Sequence, residues 1–158
     1  EFNLIFQLTH IYAHLMNEGI GLRQLLDYYY VLISDDLLLI RDRVQKELKE
    51  LGLWKFAGGI MYIMQEVFGM PASRLIVPPN EKYGKFVLNE VLEAGNFGKH
   101  DERNRFGRSK LGHNLQRVYR DIRLMRYFPA EALCEPVFRI WHFFWRKSVS
   151  ILLPIPIR

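Results

Sequence analysis

The amino-acid sequence predicts an all-α fold, a single irregular bundle of about seven helices. Three observations carry that expectation. Apolar residues recur at three- and four-residue steps, as at Leu4, Leu8, Ile11, Tyr12, Leu15 and Met16. Glycines, prolines and capping residues interrupt these stripes at helix-length intervals. No stretch alternates apolar and polar residues as a half-buried strand does, and there is no internal repeat or low-complexity tract.

The first helix ends at Gly19 and Gly21, whose backbones tolerate a helix stop. A second runs from about Leu22 to Ile33. Ser34-Asp35-Asp36 is a cap signal for a third, which continues to Leu51 and is ended by Gly52. Its charged face (Arg41, Asp42, Arg43, Lys46, Glu47, Lys49, Glu50) reads as solvated. Trp54 to Phe68 is a fourth, largely buried helix in which Gly58-Gly59 allows close packing. Gly69, Pro71, Pro78 and Pro79 mark a connector, and Asn80 caps a fifth helix from about Glu81 to Ala94.

Gly95 to Gly112 is a polar, basic, glycine-containing loop, of a length that is more often functional than idle. Within it, Asn96-Phe97-Gly98 lacks the glycine count of a phosphate loop and reads as a turn. The sixth helix spans about His113 to Tyr127, with Leu115, Val118, Tyr119, Ile122 and Met125 as its core stripe. Pro129 and Pro136 each suit a first helical position. The last helix, about Val137 to Val149, is strongly aromatic, and Pro154 and Pro156 end regular structure.

The 158 residues suffice for one domain with a real core, so residues 1–158 are read as a single helical domain. Hydrophobic residues make up 49%, which argues against disorder. The formal charge of +5 favours anionic partners without naming one. A single cysteine, Cys134, supports neither a disulfide framework nor a thiolate metal site and fits a reducing compartment, so the chain reads as cytoplasmic. Glu1-Phe2-Asn3 already lies in an apolar run with no signal-peptide features. The chain therefore reads as part of a longer protein.

His10, His14 and the run GIGLRQLLD from Gly19 to Asp27, with Glu93-Ala94-Gly95-Asn96-Phe97-Gly98 and Phe128-Pro129-Ala130-Glu131 followed by Pro136, carry a resemblance. With them the whole chain resembles the C-terminal helical part of the bacterial uncharacterised nucleotidyltransferase family, a distant branch of the polymerase-beta-like nucleotidyltransferases. The resemblance implies Mg²⁺-dependent transfer of a nucleotidyl group from a nucleoside triphosphate (NTP) to an acceptor. Such enzymes clamp Mg²⁺ against the triphosphate with spaced carboxylates after a Gly-Ser turn. This chain has no such turn and no Asp-x-Asp, and Asp35-Asp36 sit where a cap belongs. No catalytic residue is therefore assigned within it. Mg²⁺ and NTP are implied only for the intact protein, in which an N-terminal nucleotidyltransferase domain is the expected partner.

His10 and His14 share a helix face at a spacing that can grip a metal. The zincin pattern needs a Glu where Ile11 stands, and cysteine ligands are lacking, so no metal is assigned. The pair reads as hydrogen-bonded histidines at a helix interface. Arg23 and Asp27, also four apart, are either an ordinary intrahelical ion pair or a partly buried pair, among Leu22, Leu25, Leu26 and Tyr28, that fixes a functional face. With His10 and His14 they are the residues expected to organise the domain face.

Lys99, Arg103, Arg105 and Arg108 are the candidate phosphate or anion ligands, because guanidinium forks suit phosphate oxygens. A merely solvated basic face is the competing reading, shared with Arg117, Arg120, Arg123 and Arg126. No nucleic-acid-binding motif is present. A second function class stays open: a non-catalytic helical module that binds a protein partner or touches a membrane surface through its C-terminal aromatic helix. The more ordinary expectation is that this helix docks in the core or against the N-terminal domain.

Overall fold

The computed structural model describes residues 2–17, 19–33, 37–94 and 110–152. They are all-α as expected, with no strand among the described residues. Seven α-helices follow in order: α1 (Phe2–Asn17), α2 (Leu22–Leu32), α3 (Leu37–Glu50), α4 (Trp54–Glu66), α5 (Glu81–Ala94), α6 (Lys110–Met125) and α7 (Pro129–Leu152). One 3₁₀ turn, Ala72–Arg74, lies in the connector between α4 and α5. The chain divides into two compact units, Glu1–Arg105 and Phe106–Arg158.

The first unit is built around α4. Phe56, Ala57, Ile60, Met61, Ile63 and Met64 on that helix are all buried. Apart from Ala57, burying side chains of this size contributes roughly 1.5–3 kcal/mol each. Helix α5 packs most extensively on α4, and α2 and α3 also lie against α4, while α1 packs on α2 and α3. The α4–α5 contact depends on missing side chains. A Cβ on Gly59 would meet the backbone of Tyr83 at 3.0 Å, and one on Gly58 would meet Asn80 Cβ at 3.0 Å. A Cβ on Gly84 of α5 would overlap the Tyr62 ring of α4. The Asn80 N–H even donates to the helical carbonyl of Gly58 at 2.8 Å.

Capping follows the sequence closely. Asn80 Oδ1 accepts from the Tyr83 N–H at 3.3 Å, so the cap expected for α5 forms. Gly52 adopts φ 72° after α3. Its N–H donates to Lys49 O at 3.1 Å, and that of Leu53 to Leu48 O at 2.8 Å, which is the Schellman pattern. Arg41 departs from the solvated face assigned to it. It is half-buried, and its guanidinium donates to Ser73 O in the connector. Gln45, one turn on, donates to Ile76 O at 2.6 Å. Helix α3 thus fastens the connector, whose backbone carbonyls need partners and have no helix to supply them.

The second unit is a hairpin of α6 on α7. Two expectations are corrected here. Pro136 does not begin a helix: α7 runs unbroken from Pro129 through it to Leu152. A proline removes one backbone donor and crowds the preceding turn, at about 3 kcal/mol. That strain bends or weakens a helix without stopping it when the flanking residues favour continuation. The stripe of α6 is not core either, because Leu115, Val118, Tyr119, Ile122 and Met125 are all exposed. Among the described residues, those buried here include Arg120, Asp121 and Leu124 on α6, with Phe128 and Ala132 beyond it. Periodicity identifies the apolar side of a helix, not whether another layer covers it.

Candidate functional site

The resemblance-bearing run folds as a tight corner between α1 and α2. Gly19 takes φ 91°, a left-handed conformation that side chains oppose, and its N–H donates to His14 O at 2.7 Å. Ile20 is fully buried and pins the corner to the core. The Gly21 N–H donates to Gln24 Oε1 at 3.0 Å, which satisfies one donor at the start of α2. Gly19, Gly21 and Gln24 together let α2 begin close after the end of α1.

The corner sorts its side chains by helical phase. On α2, Leu25, Tyr28 and Leu32 are fully buried, while Leu22, Arg23, Leu26, Asp27 and Tyr30 are exposed. The partial burial expected for Arg23 and Asp27 is therefore not found, and no ion pair joins these two residues among the described ones. Their apolar sequence neighbours misled because residues one apart point about 100° apart on a helix. Tyr28 carries the opposite consequence of burial. Its hydroxyl has no hydrogen-bond partner, and desolvation pushes the phenol well above its ordinary value.

On α1 the rings form a ladder along one side. Phe2 stacks on Phe6 at 5.7 Å between ring centroids, Phe6 on His10 at 6.1 Å, and His10 meets His14 edge-on at 4.3 Å. The two imidazole Nε2 atoms lie 3.0 Å apart, so one carries the proton and the other accepts it. The expected hydrogen-bonded pair is thus present, on the exposed side of the helix: His10 is exposed and His14 half-buried. Among the described residues no group of three or more His, Cys, Asp or Glu converges as metal ligands would. Mg²⁺ prefers carboxylate and phosphate oxygens, so the described residues do not fit the metal implied by the resemblance.

Of the anion-binding candidates, Lys99, Arg103, Arg105 and Arg108 lie outside the described residues, as do Ser34-Asp35-Asp36 and Asn96-Phe97-Gly98. In α6, Arg120 is buried, and the Arg123 guanidinium lies 5.7 Å from the centroid of the Tyr119 ring. Arg120 therefore does not belong to a solvated basic face.

The structure also contains a feature that the sequence reading missed. An open cleft of about 370 Å³ is lined by Arg41 and Gln45 of α3, Gln65 of α4, and Leu75 to Pro79 of the connector. The i, i+4 spacing of Arg41 and Gln45 was a visible signal, but nothing local showed that the connector would fold back over them.

The chain matches no family model, no curated protein and no solved structure.

Proposed function

We propose that this chain is the helical accessory portion of a nucleotidyltransferase that moves a nucleotidyl group from an NTP to an acceptor, with the catalytic carboxylates elsewhere in the full protein. One observation supports the reading beyond the resemblance itself. His10, Arg23 and Asp27 all lie on exposed sides of α1 and α2, while the buried sides of the same helices are occupied by leucines, Ile11 and Tyr28. Polar residues that the core does not use are available to a further domain.

In this reading the exposed corner of α1 and α2 meets the catalytic domain. Arg23 and Asp27 orient that contact. Lys99, Arg103, Arg105 and Arg108 supply cations to phosphate oxygens, which guanidinium forks bind in two-point fashion. No metal-dependent step falls on the described residues. An NTP donor and the lone cysteine both fit a cytoplasmic protein.

The test compares the full-length protein with this chain alone, each given Mg²⁺ and labelled NTPs. The full protein is expected to transfer nucleotide and the chain alone to be inactive. Arg23→Ala and Asp27→Ala in the full protein should lower kcat/KM by about tenfold, as misplaced catalytic partners do, with the melting temperature unchanged. Transfer by the chain alone, or full activity in both variants, overturns the proposal.

A further inference from the structure

The α6–α7 hairpin displays an apolar and aromatic surface that the reading above does not use. Val137, Phe138, Ile140, Trp141, Phe144 and Trp145 of α7 are each at least 50% exposed. The stripe Leu115, Val118, Tyr119, Ile122 on α6 is exposed as well. Contiguous apolar surface on this scale marks an interaction site.

The pattern on α7 indicates what covers it. Phe138, Trp141, His142 and Trp145 recur at three- and four-residue steps, and their rings contact one another in series. Phe138 is 5.7 Å from Trp141, Trp141 is 6.3 Å from Trp145, and His142 is 5.8 Å from both Phe138 and Trp145. At about 100° per residue, Val137, Ile140 and Phe144 extend this face on one flank. By the same phase positions 139 and 146, both arginine, fall together away from the ring face, Phe143 lies beside them, and Lys147 falls next to Ile140. A helix with Trp and Phe gathered on one face and arginine positions off it has the form that lies in the interface of a bilayer.

Charge selects among occupants. The segment Phe106–Arg158 holds ten Lys and Arg against three Asp and Glu, a net +7. The segment Glu1–Arg105 holds twelve against fourteen, a net −2. A second copy of so cationic a hairpin is repelled, whereas an anionic surface is attracted. No helix among the described residues is long and apolar enough to cross a membrane. The occupant therefore lies along the face and does not enclose the helix.

We propose that the aromatic face of α7 docks on an anionic phospholipid surface. Trp141 and Trp145 sit at the depth of the headgroups, and the net positive charge of the segment draws it to lipid phosphates. This inference is independent of the transferase reading.

The experiment is flotation of the whole chain with phosphatidylcholine vesicles, with and without phosphatidylglycerol. Binding to the anionic vesicles is expected to exceed binding to the neutral ones by at least about tenfold and to weaken with salt. Trp54 is on α4 beneath the Lys49 ammonium, 4.6 Å from its ring centroid, so a Trp54→Phe background leaves only the two α7 indoles to report. Their emission should shift to the blue on the anionic vesicles. A Trp141→Ser/Trp145→Ser variant should lose about tenfold in binding at unchanged helix content. Overturning results are failure to float with anionic vesicles, equal binding by the double variant, or binding of an acidic protein or nucleic acid in place of vesicles. A stoichiometric dimer that itself shifts the indole emission would also overturn it.

Discussion

Helices α4 and α5 approach until backbone meets backbone, whereas α6 and α7 turn their largest side chains outward. Both pairs are neighbours in sequence, and both are rich in apolar residues. The difference lies in the residues at the contact. The first pair meets through Gly58, Gly59 and Gly84, and its bulky side chains fill the surrounding core. In the second, indole and phenyl rings project into solvent, and the buried residues include Arg120 and Asp121. Close packing converts apolar residues into stability, while the same residues left uncovered become a surface for something else.

Four substitutions break or sharpen that comparison. The largest effect is expected for Phe56→Ala in α4. The ring is 1% exposed and lies 4.6 Å from that of Tyr12, so its removal should cost about 3–5 kcal/mol in urea denaturation. Gly84→Ala comes next. Alanine gains up to about 1 kcal/mol in helix propensity. Overlap with the Tyr62 ring costs more, typically about 1–3 kcal/mol, so net destabilisation is expected in thermal unfolding. A gain in melting temperature would show that α5 can retreat from α4 without loss.

Tyr28→Phe should be neutral or stabilising by up to about 1 kcal/mol, because it deletes a buried hydroxyl that has no partner. A clear loss of stability would reveal a hydrogen bond or bound water at that hydroxyl. The smallest effect is expected in the second unit. Ile122→Ser, on a residue 62% exposed, should change the stability of the chain by less than about 0.5 kcal/mol. A cost comparable with that of Gly84→Ala would mean that the α6 stripe is covered in solution, which would remove the contrast between the two units.

Local chemistry made much of the first unit readable. Gly52 and Asn80 act through their own backbone freedom and their own side chain, so their roles needed no knowledge of the fold. The paired glycines of α4 announced a close approach, though not that α5 would make it. The candidate site was legible in a different way. The corner at Gly19 and Gly21 and the contact of His10 with His14 follow from spacing, and both are present. The exposure of Arg23 and Asp27 was misread from their neighbours in sequence, when helical phase decides it.

The sequence by itself determined the helical class, the positions at which most helices start and stop, and which side of each helix is apolar. These depend on interactions within a few residues, where propensity, capping and period act directly. Only the tertiary structure decided that the α4 stripe is core and the α6 stripe is not. It also turned Arg41 from a solvated cation into a clasp on the connector. Burial is a relation between segments distant in the chain, and an apolar stripe has the same pattern whether or not another helix lies on it.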